Sequence, residues 1–150
     1  MEITKVPNQI LSKKTGQVAP GDIKNNMFRE LILSMKEAMK EHKGVGLAAN
    51  QIGRDLSIFV IDEMLAKESE APDVYINPEI TEYAKDSDEL EEGCLSIPEF
   101  YIQIKRPKKI KIKFIDENGK KRKIKARGFL ARVLQHETDH LNGLTIKTRK

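Results

Sequence analysis

Two histidines four residues apart, His136 and His140 in the run QHETDH, constrain this chain more than any other feature. On an α-helix of ~3.6 residues per turn they project from one face and can share one metal ion. Residues 129–141 have a helical apolar pattern, and Gly143 follows as a closing glycine. Glu137 stands directly after the first histidine. In an H-E-x-x-H helix that glutamate does not ligate. It takes a proton from metal-bound water and later delivers it to a leaving amine. Short patterns also recur by chance, so a solvated helix with two histidines stays open on this run alone.

Two rings do not complete a coordination sphere, so the helix has to dock against whatever carries a third ligand. One large class of H-E-x-x-H enzymes takes a Glu or Asp downstream, but the ten residues after His140 contain no Asp, Glu, His or Cys. Another class continues to a third histidine three residues past a glycine. Here Gly143 fits, but Ile146 stands where that histidine would be. The ligand must lie upstream. His42 ends a Lys-rich segment and reads as a surface residue. Cys94 is the only cysteine, and Gly93 beside it permits close backbone approach. One thiolate and two imidazoles leave a position open for water, the pattern of a catalytic site. The plainer reading of Cys94 is a small buried filler. A metal brings the pKa of its bound water near neutrality, and the hydroxide so formed can attack a carbonyl carbon. The oxyanion that follows needs donors, and the N–H of Leu95 is placed for that role.

The elements that would bring these segments together can be read in outline. Residues 1–21 hold Pro7, Gly16, Pro20 and Gly21 and read as an extended lead-in. Asp22 reads as an N-cap, and Met27, Leu31, Leu33, Met35, Ala38 and Met39 predict a helix from residue 23 to about 42, ended by Gly44. Residues 44–53 form a loop of small residues, LSIFVID (56–62) a buried strand, 63–72 a variable loop, and DVYINP (73–78) a strand stopped by Pro78. An acidic run, 86–92, precedes GCLSIP. Residues 100–127 alternate. Ile110, Ile112 and Phe114 share one face and Lys109, Lys111 and Lys113 the other, with a hairpin turn at 116–119 and KRKIKAR returning to Gly128. Helix, antiparallel strands, then helix predict an α+β fold, with antiparallel sheets packed around the C-terminal metal-binding helix and an N-terminal helix. At 150 residues the chain is expected to be one catalytic domain, 1–150.

A single cysteine excludes an internal disulfide and fits a reducing compartment. No segment has the ~18 apolar residues of a membrane helix, and the first residues, MEITKVPNQI, have no signal-peptide pattern. A cytoplasmic protein with no membrane contact is expected. The net charge of +4 is unevenly placed: residues 1–102 carry −8 and residues 103–150 carry +12. Two solvated sheet faces would account for this, as would a basic face set near nucleic acid. With no Trp and few aromatics, stacking on single strands is poorly supported.

Three segments in order, GVGLAANQ (44–51), EGCLS (92–96) and QHETDHLNG (135–143), resemble peptide deformylase over nearly the whole chain. Each is modest evidence alone, but all three in order are highly specific. The resemblance implies removal of the formyl group from the N-terminal formyl-methionine of newly synthesised polypeptides, with release of formate. It implies Cys94, His136 and His140 as metal ligands, Glu137 as the acid/base, and Gln51 with the Leu95 amide as oxyanion donors. Val45, Gly46, Phe129 and Val133, together with His136, match positions that line substrate, and Arg106 matches an arginine near the pocket mouth. Arg106 could equally be a solvated strand cation, and Asp139 either a supporting residue behind the ligands or a solvated helix carboxylate. Ferrous iron, Fe2+, is the implied native metal, with Zn2+, Ni2+ or Co2+ as substitutes; the donor set itself accepts several of these. Many members dock on the ribosome through a long helix after the third motif. This sequence has ten residues there, so the basic half is the expected route to ribosomal RNA. The nascent formyl-methionyl chain is the expected partner, and a monomer the expected state.

Two rivals share part of this pattern. A zinc endopeptidase uses the same helix but lacks its downstream ligand here. A non-catalytic metal-binding or ribosome-binding module would have no use for Glu137.

Overall fold

The computed structural model describes residues 1–148. Among them four α-helices form, α1 (Pro20–Lys24), α2 (Arg29–Glu41), α3 (Glu63–Glu68) and α4 (Gly128–Leu141). The strands are β1 (Gly46–Ala48), β2 (Ile58–Ile61), β3 (Val74–Tyr83), β4 (Ser87–Cys94), β5 (Ile97–Pro107), β6 (Lys109–Ile115) and β7 (Lys121–Arg127). Short 3₁₀ turns lie at Gln9–Ser12 and Ala49–Ile52. Five strands make one antiparallel sheet in the order β1-β2-β3-β6-β7, while β4 and β5 pair with each other as a separate ribbon. The α+β class read from the sequence is the class observed.

Strand β2 explains how the layers stack. All four of its residues are buried, because successive side chains point to opposite faces and each face is covered. Ile58 and Val60 face the cluster holding Met35, Ala38 and Met39 of α2. Phe59 and Ile61 face the cluster holding Leu130, Ala131, Val133 and Leu134 of α4. Beneath α4, Phe59 stacks on Tyr75 at 4.9 Å between ring centroids, and Tyr75 meets Phe114 at 4.3 Å. Helix α4 is therefore pinned along its apolar face by three strands, β2, β3 and β6. Its last turn is held from far away in sequence: Asn50 Nδ2 donates to the His140 carbonyl at 2.6 Å, and the Thr15 amide to that of Leu141 at 2.8 Å. Gly143 follows with φ +79, tight against the Ser12–Lys13 backbone.

Several local readings need correction. The first helical region is broken: α1 ends at Lys24, and Asn26 takes φ 57 before α2 begins. Two consecutive asparagines favour local hydrogen bonds and tolerate the left-handed region, which interrupts the helix. Asp22 lies inside α1, whose N-cap is Ala19 followed by Pro20. The expected loop at 63–72 begins with α3, because the Asp62 carboxylate accepts the Leu65 amide and caps it. Pro78 does not stop its strand. β3 runs through it, with Asn77 at φ 50 and a register shift between Ile76 and Glu79 that absorbs the missing donor.

Leu134 is fully buried, whereas Leu33, which shares the helical apolar spacing of its own segment, is 52% exposed. Leu134→Ala is expected to cost ~2–5 kcal/mol in denaturant unfolding, and Leu33→Ala no more than ~0.5 kcal/mol.

Candidate metal centre

Helix α4 places His136 and His140 one turn apart on the side facing the β4–β5 ribbon, and the ribbon brings Cys94 to them at the end of β4. A register shift between Gly93 and Cys94 turns the chain there. His140 Nε2 lies 3.2 Å from Cys94 Sγ and 3.2 Å from His136 Nε2. All donor atoms of the three residues fall within 4.8 Å of one another. With metal–nitrogen bonds of ~2.0–2.1 Å and metal–sulfur bonds of ~2.3 Å, tetrahedral donors sit roughly 3.3–3.6 Å apart. The three residues fit a single divalent ion.

The electrostatics fit as well. His136 Nδ1 is hydrogen-bonded to Glu92 Oε1 at 2.9 Å, which turns Nε2 toward the centre. Burial works against a charged His136, but hydrogen bonds to Cys94 and Glu92 and the charge of Glu137 lift it to about 10. His140 is driven well below the usual imidazole value by burial and by the like charge of His136 and Arg106. Two facing nitrogens cannot both hold a proton, so one ring takes it and the other loses it. A metal cation would take the place of that proton.

Glu137 is buried, and its Oε1 has no hydrogen-bond partner among the described residues. Burial raises its carboxyl to about 7, against the lowering pull of His136 and Arg106. Gly46 makes room for it: a Cβ at that position would lie 2.6 Å from Glu137 Oε2. Gln51 is on the 3₁₀ turn after β1. Its Oε1 accepts the Ala48 amide at 3.0 Å, so its Nε2 points to Ser96 Oγ at 3.1 Å and Cys94 Sγ at 3.5 Å.

A cavity of about 580 Å³ opens beside these groups, within the range of small-ligand sites. Val45, Gly46, Gln51, Cys94 and Leu95 line one side, and Phe129, Val133, His136 and Glu137 the other. Val45 and Phe129 stand exposed at its rim, while Val133 is buried. His140 sits behind the lining. His42 is exposed, as the sequence suggested.

Arg106 is not at the mouth of this cavity. It is 1% exposed and enclosed by Glu92 and Asp139. Its Nε and Nη2 donate to the two oxygens of Glu92 at 2.6 and 2.9 Å, and its Nη1 to Asp139 Oδ2 at 2.8 Å. Burial opposes the Glu92 charge, but hydrogen bonds from His136 and Arg106 hold its carboxyl far below the usual range. The sequence reading passed over Glu92, which is hidden in the acidic run, and Arg132. Arg132 had a signal: it is the single charge in the apolar stretch FLARVL, and it is buried.

The model of the family described as Polypeptide deformylase matches residues 1–149. A peptide deformylase of Prochlorococcus marinus (strain MIT 9312) is 43% identical over 149 residues, covering 99% of this chain and 73% of that protein. The crystal structure of peptide deformylase from Thermotoga maritima superposes with a TM-score of 0.88 at 38% identity, covering 99% of this chain and 95% of that one. A deformylase from the Vibrio parahaemolyticus bacteriophage VP16T, in complex with actinonin, gives a TM-score of 0.86 at 34% identity, covering 97% of this chain and all of that one.

Replacing Arg106 by Met would leave Glu92 and Asp139 without their shared cation. A loss of ~3–5 kcal/mol is expected on denaturant unfolding; a change within ~0.5 kcal/mol would show that the arginine is dispensable to the fold.

Proposed function

Because this chain belongs to the polypeptide deformylase family, whose members are metal-dependent hydrolases, we propose that it removes the formyl group from the N-terminal formyl-methionine of newly synthesised polypeptides and releases formate. Residues 1–150 are read as one catalytic domain. The observation that carries the reading is Glu137 Oε1, buried without a partner among the described residues, on a side chain set against Gly46 and beside the Cys94/His136/His140 triangle. A structural metal site needs no such group.

Cys94, His136 and His140 would hold one divalent ion, with Fe2+ proposed as the native metal and Zn2+, Ni2+ or Co2+ as substitutes. When bound, it supplies a Lewis acid and a water ionisable near neutral pH. Glu137 holds and moves the proton: its carboxyl sits near 7, where it can accept from water and donate to the leaving amine. Gln51 Nε2, oriented by the Ala48 amide on its other end, and the backbone N–H of Leu95 are read as donors to the oxyanion. Val45, Gly46, Phe129 and Val133 line the space beside the centre. Their apolar character suits a methionine side chain, which fills irregular apolar space readily. His136 forms part of the same wall. Arg106 is read as acting from behind the ligands, not on substrate.

Among the described residues no helix is long and apolar enough to cross a membrane. We read the protein as a cytoplasmic monomer. Lys109, Lys111 and Lys113 of β6 face Arg127, Lys125 and Lys123 of β7 in direct register. Like charges directly opposite disfavour the pairing, and a polyanion laid across them relieves that cost. Glu82 and Glu79 offset Lys111 and Lys113. This face is proposed to meet ribosomal RNA, and binding to ribosomes is expected to fall steeply with salt; salt-independent binding, or none at low salt, would remove this route.

Glu137→Ala is expected to keep one metal per chain while formate release from formyl-Met-Ala drops by ~10²–10⁴. Gly46→Ala should impair the same step by displacing the carboxylate. Full activity in Glu137→Ala, or cleavage of internal peptide bonds by the wild type, would overturn the assignment.

A further inference from the structure

The three donor atoms are divided between two bodies. Cys94 belongs to the β4–β5 ribbon, and His136 and His140 to α4. The ribbon shares no strand pairing with the five-stranded sheet, and a two-stranded ribbon is marginal by itself. Something has to fix its distance from the helix.

Arg132 lies one turn before His136, and among the described residues all four of its side-chain hydrogen bonds go to the ribbon. Nη1 donates to Glu92 Oε2 and to the Ile104 carbonyl at 3.0 Å. Nη2 donates to the Asp88 carbonyl at 3.0 Å and to Asp88 Oδ1 at 2.9 Å. One helix residue thus grips both strands of the ribbon, at Asp88 and Glu92 on β4 and at Ile104 on β5. We propose that Arg132 is a positioning residue for the metal: it clamps the ribbon to α4 through Glu92 and so sets where Cys94 stands relative to His136. The inference rests on the metal-centre reading above.

Two further observations support it. Glu92 has about four lone-pair sites, and all are filled: Oε1 by His136 and Arg106, Oε2 by Arg106 and Arg132. Removing Arg132 takes away one of the four bonds that hold the carboxylate and its only one from the turn before His136, so the aim of the His136 ring is less tightly set. The charges agree. A ligating imidazole is neutral, and Arg106 divides its charge between Glu92 and Asp139. Arg132 brings a second cation to the buried Glu92 carboxylate. The Asp88 side chain is 45% exposed and leans on solvent instead. Lysine would keep the charge but not the fork that spans Glu92, Ile104 and Asp88 at once.

The test uses wild type, Arg132→Met, Arg132→Lys and Asp88→Asn, stripped of metal and reloaded with Co2+. Affinity is read by chelator competition, and ligand geometry by the Co2+ absorption spectrum. Arg132→Met is expected to weaken Co2+ binding by about 10–100-fold and to change the spectrum. Arg132→Lys should recover part of both, and Asp88→Asn should stay close to wild type. Wild-type affinity and spectrum in Arg132→Met would overturn the inference, even with a lowered Tm. If Arg132→Met does not fold, Arg132→Lys decides: reduced affinity with an altered spectrum supports the clamp, and wild-type values overturn it. A wild type that binds no Co2+ would instead refute the metal-centre reading.

Discussion

The Glu92 carboxylate is the point through which the rest of the site is joined. It takes hydrogen bonds from His136 on α4, Arg106 on β5 and Arg132 on α4. A buried carboxylate with so many donors stays ionised. Ionised, it orients the His136 ring and ties the strand that carries Cys94 to the helix that carries the histidines. Such a network adds little net stability, since desolvation offsets most of the attraction. Its contribution is specificity of placement, which the apolar core cannot give.

The core supplies what the charges cannot. β2, apolar on both faces, lies between α2 and α4. The stacked rings of Phe59, Tyr75 and Phe114 form a firm floor under α4. Close packing resists small shifts, so the helix presents one face upward to the cavity and another sideways to the ribbon without drift. The unpartnered Glu137 carboxylate is tolerable on such a base. An orphaned buried acceptor costs roughly 1–3 kcal/mol, a cost set beside the cavity and borne by the surrounding core.

Much of this was legible in the sequence, for physical reasons. Residue spacing on a helix is fixed, so His136, Glu137 and His140 could be placed together from their numbers. Cys94 could be singled out because it is the one cysteine in the sequence and Gly93 beside it permits close approach. The 109–127 hairpin followed from strict alternation and an Asn-Gly turn. Partner choice is different, because side-chain reach and burial are three-dimensional. Arg106 read as a cation near the cavity mouth, yet it is enclosed by Glu92 and Asp139. Glu92 could not be told from its acidic neighbours until β4 paired with β5 and turned it inward. The break at Asn25–Asn26, the passage of β3 through Pro78 and the start of α3 at 63 were missed because local propensity yields to capping and bulges.

The separateness of the β4–β5 ribbon bears on how the chain matures. Its two strands are joined by a short turn and close quickly, whereas the five-stranded sheet must gather segments from residue 46 to residue 127. Cys94 and His136 are 42 residues apart, so no unfolded chain offers the three donors as a chelate without first paying the entropy of that loop. Docking of the β4–β5 ribbon against α4 is therefore the step that brings the Cys94 thiol beside the two rings. Until that contact forms, a new chain holds its thiol and both rings apart, each exposed to metals and oxidants separately.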